Sequence, residues 1–413
     1  MLAFDVKKST ETECLFRPAR VEDAQELVSM YEGVFGKNGV RAEGHEPYPA
    51  PEVFSIEGIL KVLEDQQRQF LVAELDGRIA GGLIVTHNSP FHREFGCVCV
   101  GKNFQGRGIS SLMLSYQKQV EKKSSLVINT TEIVTHSLLS QCAHHRAGYD
   151  KITGLGYLQY PKVFFPTHPE SCLWITSLEG LIFDLLRSSN PTACLSKPKE
   201  KFEDSRALNI EEKQLFRALQ ITRNIFAPDF YQPLIAKIIG QFKDTLNYRI
   251  FSDASPSNLN QSAHPGDLEL DLCGDAPYAY ITFPIDPLVD ESLNLWKSLQ
   301  KIRSANKRYV QARIPINSKA AIRHIDLLRE RGFIFLGLAP LFQLSKDGNF
   351  ADILIMQWIA PSVIESCGLP GETNCQAKLY GYPLSLIGDI AEVMRQDLSR
   401  GNGGKLFEDY PEF

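Results

Sequence analysis

The stretch that decides the fold of this chain is residues 94–116, EFGCVCVGKNFQGRGISSLMLSY. An apolar segment typical of a buried strand runs into Gln105-Gly106-Arg107-Gly108, and an amphipathic helix is predicted over 107–122. Glycines let the backbone approach a ligand closely, several N–H groups then point the same way, and a helix start adds partial positive charge. The segment therefore predicts a cradle for an anionic group such as a diphosphate. A tight strand-to-helix turn without a ligand is the alternative that the glycines alone leave open.

The segments on both sides of this stretch alternate between strand and helix patterns. Before it, we predict a strand at 14–20, helices at 21–36 and 54–67, and strands at 69–75 and 79–86 joined by Asp76-Gly77. After it, we predict a strand at 126–134, a helix at 137–147, and strands at 152–164 and 171–177. This order predicts an α/β fold with a mixed central sheet and flanking helices.

The second half of the chain repeats this pattern in reduced form. The polar stretch 186–206 predicts a linker, and helical patterns follow at 207–226 and 229–243. Predicted strands then lie at 247–252, 268–273, 278–284, 308–316, 333–345 and 351–359, with helices at 290–305 and 318–331. We divide the chain into a first domain at 1–185, a linker and helical connector at 186–245, a related second domain at 246–360, and a C-terminal helix (384–399) and tail within 361–413.

Length and composition indicate an ordinary globular protein. The chain has 413 residues, 43% of them hydrophobic and 23% charged, which suits roughly two or three domains. Its 44 basic and 49 acidic residues leave a net charge of −5, so no global basic field is present to attract nucleic acid or an anionic membrane. No segment approaches the roughly twenty apolar residues of a membrane span, and we expect a cytoplasmic protein. The nine scattered cysteines contain no C-x-x-C pair, so neither disulfides nor a metal site are predicted.

The central stretch resembles the acetyl-CoA-binding motif of the GNAT acyltransferase superfamily, V-x-x-x-x-(Q/R)-x-x-G-x-(G/A). The motif reads here as Val100, Gln105, Gly108 and Ser110, with Ser110 where Gly or Ala is usual. The order of elements over 14–177 is also the order found in that family. The resemblance implies the GNAT acyl-CoA N-acyltransferase fold, with acetyl-CoA or another acyl-CoA as co-substrate and no metal.

The resemblance also implies how the co-substrate is held. In the family, backbone amides of the motif bind the CoA diphosphate, which places this role on Gln105, Gly106, Arg107, Gly108, Ile109 and Ser110. The strand before the motif pairs with the pantetheine arm, which implies that role for the main chain of Cys99 and Val100. The resemblance places Ser137 and Ser140 near the pantetheine, while simple capping of the helix N-terminus is their alternative role.

Acyl transfer to an amine requires a base, because an alkylamine is mostly protonated near pH 7. Glu94 is the candidate: it lies eleven residues before Gln105, where some family members carry a catalytic glutamate. A solvated charge at the start of a strand is the alternative, and His92 is a weaker candidate for the base.

The departing CoA thiolate requires a proton or a hydrogen bond. Many family members supply it from a tyrosine four residues before the glycine that ends the fourth helix. Here that glycine is Gly148, and the position is occupied by His144. Because histidine titrates near neutrality, we expect His144 to serve as the donor, against the alternative of a histidine on the helix surface.

The second domain lacks these features. Its segment at the cradle position, 283–290, reads FPIDPLVD and contains two prolines, two carboxylates and no glycine. Leu328 lies four residues before Gly332, and the neighbouring Arg323 and His324 are predicted to be solvated. We interpret it as a degenerate GNAT-like copy in a tandem arrangement. Such copies shape the acceptor cleft or a dimer surface, so a homodimer is left open.

The sequence therefore favours an acyl-CoA-dependent N-acyltransferase that acetylates a primary amine by direct attack in a ternary complex. A non-catalytic acyl-CoA-binding sensor or regulatory protein is the alternative, favoured by the missing tyrosine and by Ser110. The acceptor is a small-molecule or peptide amine. Loop 37–52 and the first two helices are expected to wall its cleft, with contacts from Glu43, His45, Glu46 and Tyr48, whose alternative is an exposed polar loop.

Overall fold

The computed structural model describes residues 4–5, 14–160, 162–165, 167, 169–189, 209–252, 268–274, 277–285, 292–344, 350–367 and 382–400. The chain folds into two compact units. The first contains the described residues within 1–152, 158–183 and 377–382, and the second contains those within 153–157, 184–376 and 383–413. No helix within these described ranges is both long and apolar enough to cross a membrane.

The elements of the first half follow the predicted order closely. The strands are β1 (Phe4–Asp5), β2 (Cys14–Pro18), β3 (Arg68–Leu75), β4 (Arg78–His87), β5 (His92–Val100), β6 (Val127–Val134), β7 (Ile152–Tyr160) and β8 (Glu170–Glu179). The helices are α1 (Ala24–Phe35), α2 (Ile56–Glu64), α3 (Ile109–Lys122), α4 (Leu138–Arg146) and α5 (Leu181–Ser189), of which α5 was not predicted. Within the first unit the strand order is β1-β2-β3-β4-β5-β6-β8. The fold is mixed α/β, as predicted.

Local sequence explains the shape of these elements. Helix α1 buries the side chains that recur at helical spacing, including Leu27, Tyr31 and Phe35, and it ends at Gly36, whose φ is +89°. The hairpin between β3 and β4 turns at Asp76 and Gly77, with φ of +52° and +72°. Two successive positive φ angles are typical of the type I′ turn that an Asp-Gly pair favours.

The second half contains more short elements than predicted. The strands are β9 (Arg223–Phe226), β10 (Tyr248–Phe251), β11 (Glu269–Asp271), β12 (Tyr278–Thr282), β13 (Tyr309–Pro315), β14 (Ile334–Leu344) and β15 (Phe350–Ile359). The helices are α6 (Ile210–Gln220), α7 (Gln232–Gly240), α8 (Ser292–Ser304), α9 (Ala320–Glu330), α10 (Pro361–Cys367) and α11 (Leu384–Arg400). The single helix predicted at 207–226 is wrong, because β9 follows α6 and pairs in parallel with β10. Helix α10 was not predicted.

The strand order of the second unit follows that of the first. Strand β11 is antiparallel to β12, β12 is parallel to β13, and β13 is antiparallel to β15. The first unit has the same directions along β4, β5, β6 and β8, again with one parallel pair. Helices α8 and α9 precede and follow β13 along the chain, as α3 and α4 precede and follow β6.

The predicted solvation of His324 is wrong. The side chain is 4% exposed, and its ring lies 4.7 Å from that of Phe283. Burial lowers the pKa of His324 to about 4, so this histidine is a neutral core residue near pH 7. Arg323, beside it on α9, is exposed as predicted. The linker predicted at 186–206 begins too early, because residues 186–189 belong to helix α5. Its remainder, 190–206, and residues 286–290 of the cradle position lie outside the described residues.

A divergence of two strands creates the opening in the first unit. Among the described residues, β5 pairs with β6 only from His92 to Glu94, opposite Ile128–Thr130. Strand β6 continues to Val134 alongside β8, and β5 continues to Val100 alongside β4. The two parallel strands therefore separate after Glu94, and the edge of β5 that faces away from β4 becomes available to a ligand.

A bulge in β5 lies within this separated part. The register shifts between the pairs Gly82–Cys99 and Ile84–Gly96, and Cys97 adopts a φ of +54°. The hydroxyl of the fully buried Tyr31 donates a hydrogen bond to the Cys97 carbonyl oxygen. A non-glycine residue in the left-handed region is strained, so a contact of this kind is needed to hold it.

The hydroxyl of Tyr31 provides a direct test of this contact. We expect Tyr31→Phe to lower the free energy of unfolding by about 1–2 kcal/mol, because the bulged carbonyl loses its donor while the ring is kept. Tyr116→Phe is the matched control, since its ring stacks on Phe16 at 5.4 Å and should do so without the hydroxyl. Urea denaturation of both variants measures the difference, and equal losses would contradict the assignment.

Candidate active site

The separated strands open into a cleft of about 480 Å³ within the first unit. Its walls include β5, the turn into α3, part of β6 and one face of α4. All but one of the residues predicted for catalysis and co-substrate binding line it. They are Glu94, Cys99, Val100, Gln105, Gly106, Gly108, Ile109, Ser110, Ser137, Ser140 and His144. Arg107 is not among the lining residues, and its guanidinium carbon lies 5.7 Å from the ring centroid of Phe104.

The turn between β5 and α3 presents backbone donors to the cleft. Gly106 and Gly108 have φ of +79° and +75°, a region that glycine enters without steric cost. Gly108 is the N-cap of α3, and no side chain of the described residues caps this end. The first hydrogen bond of the helix runs from the Leu112 N–H to the Gly108 carbonyl. The N–H groups of Ile109 and Ser110 lie before it and are not part of the helical hydrogen-bond pattern. With the partial positive charge of the helix end, they form a site suited to an anion.

The side chain of Gln105 stabilises the same turn. Its amide Nε2 donates to the Val100 carbonyl oxygen at 3.2 Å and so ties the end of β5 to the start of the cradle. Because Val100 and Cys99 pair with β4 on one side, their opposite edge faces the opening left by β6. The main chain of β5 thus leads into the cradle as one continuous polar edge.

Glu94 lies at the other end of the exposed edge. It is the last residue of β5 that pairs with β6, its side chain is exposed, and its Oε2 lies 3.4 Å from Asn88 Nδ2. Six residues separate it from Val100, which corresponds to about 20 Å along an extended strand. The cleft therefore has a carboxylate at the start of the strand and N–H donors beyond its end. His92, the weaker candidate, is buried and its Nε2 lies 3.0 Å from Thr130 Oγ1.

His144 is a buried histidine in one defined tautomer. It is 3% exposed, and its ring stacks on Phe95 with centroids 5.7 Å apart. Its Nδ1 lies 2.8 Å from the Ser140 carbonyl oxygen, which only accepts, so Nδ1 carries the proton. Nε2 is buried and has no hydrogen-bond partner among the described residues.

The environment of His144 also fixes its charge. Burial lowers the pKa of this imidazole to about 4, and the bond to Ser140 offsets only part of that effect. Near pH 7 the ring is neutral, and Nε2 offers a lone pair instead of a proton. The donation of a proton from His144 to the thiolate stays a prediction, and this neutral state does not favour it. The alternative of a histidine on the helix surface is wrong, since the side chain is buried.

Ser137 has the capping role that the sequence left open for these two serines. The Ser137 hydroxyl accepts a hydrogen bond from the Ser140 N–H at 3.3 Å and so caps α4. Both residues also line the cleft. Of the four predicted acceptor contacts, only Tyr48 lines it. Glu46 instead accepts from the Lys162 N–H at 3.0 Å.

Sequence reasoning missed several residues of the cleft. Glu132 and Thr131 contribute from β6, and Phe35 and Phe164 contribute an aromatic wall with Tyr48. The Thr131 hydroxyl donates to the Phe95 carbonyl at 2.9 Å, at the point where the strands separate. Glu132 is found only when the register is known, because it lies two residues beyond Thr130, the partner of Glu94. No local motif marks it.

The thiols of β5 are poor nucleophiles. Burial raises the pKa of Cys97 to about 12 and raises the pKa of Cys99 further. Both thiols therefore stay protonated near pH 7, as expected for packing residues. No group of three or more His, Cys, Asp or Glu side chains suited to a metal ion occurs in the part of the chain that the structure describes.

Comparison with known proteins gives a family match for the segment that contains β5, the turn into α3 and part of β6. Residues 27–132 match the acetyltransferase (GNAT) family. No significant match to a curated protein was found.

Similar solved structures cover about two fifths of the chain. They include a ribosomal-protein-S5-alanine acetyltransferase from Vibrio fischeri, with 13% identity over 43% of this chain and 97% of that one and a TM-score of 0.32. RimJ from Mycobacterium smegmatis, solved with CoA-disulfide, has 16% identity and a TM-score of 0.32. The match covers 40% of this chain and 82% of that one. A spermidine N-acetyltransferase from Vibrio cholerae has 13% identity and a TM-score of 0.31. The match covers 40% of this chain and 94% of that one.

The tautomer and charge of His144 can be measured directly. We expect nitrogen NMR of the labelled protein to show a protonated Nδ1 and an unprotonated Nε2 at every pH from about 8 down to about 5, because the pKa lies near 4. Since unfolding restores an ordinary pKa of about 6.5, this group lowers stability as the pH falls from 6.5 towards 4. His144→Phe supplies the assignment of the resonance. A midpoint above pH 6 would contradict the buried neutral state.

Proposed function

Residues 27–132 form a GNAT acetyltransferase domain, and from this premise we propose that the first unit transfers the acyl group of acetyl-CoA or another acyl-CoA to a primary amine. The transfer proceeds by direct attack in a ternary complex. One observation carries this proposal: a single cleft holds an N–H cradle beyond one end of β5 and a carboxylate, Glu94, at the other.

The cleft suits an acyl-CoA along its length. The cradle at Gly106, Gly108 and Ser110 offers backbone donors and a helix end to the diphosphate. The exposed edge of Cys99 and Val100 offers main-chain groups to the amides of the pantetheine arm, as an added strand would. The thioester then lies where β5 and β6 separate, beside Phe95 and Thr131.

Glu94 acts as the base in this proposal. A primary amine arrives as an ammonium ion and must lose one proton before its lone pair can attack the thioester carbonyl. Glu94 accepts that proton, directly or through water, and passes it to solvent. As the new C–N bond forms and the C–S bond breaks, the acceptor nitrogen holds one further proton in excess. The leaving sulfur takes that proton, so atoms and charges balance.

His144 has a different role from a general acid. Its Nδ1 proton is held by the Ser140 carbonyl, and its pKa of about 4 leaves no second proton at neutral pH. We assign it a positioning role: it packs on Phe95 and presents a lone pair at the wall of the cleft.

The second unit is proposed to be a degenerate copy without chemistry of its own. Its strand directions match those of the first unit, which supports a common origin. The residue of the second unit that corresponds to His144 is Leu328. Its side chain is fully buried and neither donates nor accepts a proton.

The cradle is tested by one glycine with a matched control. Gly108→Ala places a side chain at a φ of +75°, so we expect the Kd for CoA to rise at least about tenfold as the N–H groups are displaced. Gly77→Ala has the same strain at a φ of +72°, with equally open surroundings, but lies in the β3–β4 turn. It should lose similar stability and keep CoA affinity, as measured by calorimetry. Equal weakening in both variants would place the diphosphate elsewhere.

The reaction is tested by release of free thiol. Incubation with acetyl-CoA and a pool of primary amines should release CoA thiol, and Glu94→Gln should lower kcat at pH 7 by about a hundredfold with little change in CoA affinity. The rate of the variant should recover as the pH rises towards the pKa of the amine, because solvent then removes the proton.

Glu22→Gln is the control, since it removes the same charge at an exposed residue outside the cleft and should leave kcat unchanged. An unchanged kcat in Glu94→Gln would reject Glu94 as the base. Tight CoA binding without thiol release from any amine would instead support an acyl-CoA sensor.

A further inference from the structure

The acceptor end of the cleft carries two carboxylates. Glu94 on β5 and Glu132 on β6 both line it, and they lie close in register because Glu94 pairs with Thr130, two residues before Glu132. Glu132 accepts a hydrogen bond from Gln159 Nε2 at 3.1 Å, which fixes one of its oxygens. Gln159 is itself oriented by the Trp174 indole, whose Nε1 donates to its Oε1 at 3.2 Å. The carboxylate of Glu132 is thus held at a defined position in the cleft.

The basic side chains that line the cleft lie on a different element. They are His144 and Arg146, both on α4, and His144 is neutral near pH 7. Among the side chains that line the cleft, the acids therefore lie on the two central strands and the bases on α4; Arg41, which does not line it, packs on Phe164 with its guanidinium carbon 4.9 Å from the ring centroid. A group that binds at the strands meets negative charge, which favours a cation and opposes an anion.

An aromatic wall adjoins these carboxylates. Phe35, Tyr48 and Phe164 all line the cleft, with ring centroids 4.3 Å apart for Phe35 and Tyr48 and 5.9 Å apart for Phe35 and Phe164. Phe35 and Tyr48 are almost fully buried, and Phe164 is half-buried. The rings belong to three different segments that pack on one another, so the wall is preformed. Such a surface binds flat apolar groups by burial and by edge-to-face contacts.

We infer that the acceptor is an arylalkylamine, a primary ammonium joined by a short chain to an aromatic ring, with no carboxylate beside the nitrogen. This inference rests on the proposed function. Glu132 and Glu94 bind the ammonium, Glu94 then removes its proton, and the ring lies against Phe35, Tyr48 and Phe164. An α-carboxylate, as in a free amino acid, would lie next to two acidic side chains.

Four amines test this assignment with acetyl-CoA as co-substrate: 2-phenylethylamine, n-butylamine, spermidine and L-phenylalanine. We expect kcat/KM for 2-phenylethylamine to exceed that of each of the others by at least about tenfold. L-Phenylalanine differs from it only by the carboxylate, and n-butylamine has an ethyl group in place of the phenyl ring. Calorimetry of the same four amines with the CoA-bound protein should give the same ranking in Kd.

Two variants test separately how the charge and the aromatic ring of the acceptor contribute to its recognition. Glu132→Gln should raise KM for 2-phenylethylamine by about tenfold and leave KM for acetyl-CoA unchanged, while Glu22→Gln changes neither. Phe164→Leu should remove most of the preference for 2-phenylethylamine over n-butylamine and leave n-butylamine unaffected. It also retains an apolar side chain of similar size, so the variant should fold.

The outcomes distinguish this inference from the proposed function. Thiol release that is fastest with spermidine or equal for L-phenylalanine overturns the acceptor class and leaves acyl transfer intact. The expected ranking in Kd without any thiol release supports the acceptor class and overturns acyl transfer. Absence of both binding and turnover with all four amines overturns the acceptor class.

Discussion

The separation of β5 from β6 is the constraint on which the rest of the first unit depends. Two parallel strands that pair at Glu94 and part at Phe95 leave main-chain groups that require hydrogen-bond partners. The Thr131 hydroxyl satisfies the Phe95 carbonyl, and the Tyr31 hydroxyl satisfies that of Cys97. What remains of the edge leads to the N–H groups of the cradle. The opening is thus stabilised by side chains at the point where the strands part, and the rest of the edge faces the cleft.

The parts of the site whose structure depends only on adjacent residues could be predicted from the sequence. A glycine at a positive φ, an Asp-Gly turn and a helical period are properties of a few adjacent residues, so the turn at Gly106–Gly108 and the elements of the first half, apart from α5, were predicted correctly. The bulge at Cys97 could not be found in this way, because a non-glycine residue adopts that conformation only when a distant contact, here Tyr31, supports it. Glu132 likewise becomes visible only when β5 and β6 are placed in register.

His144 shows how burial changes the chemistry that a residue type implies. A histidine in water titrates near pH 6.5 and can both give and take a proton. Against Phe95, with Nδ1 bonded to a helical carbonyl, the same ring is a neutral acceptor at all but acidic pH. His324 on α9 is buried and neutral for the same reason. Residue type alone therefore does not show which groups in the cleft carry a proton. It also does not show whether a histidine on a helix is exposed.

The charge of the chain does not decide which ligands this cleft accepts. A net charge of −5 would oppose an anionic co-substrate if binding depended on the average field, but the cradle acts through neutral peptide dipoles and a helix end. Glu94 lies six residues before Val100, about 20 Å for a fully extended strand, and the cradle begins beyond Val100. Glu94 and the N–H donors therefore lie towards opposite ends of β5. In the proposed complex the diphosphate lies at the N–H donors, away from Glu94, and the ammonium lies where the strands part.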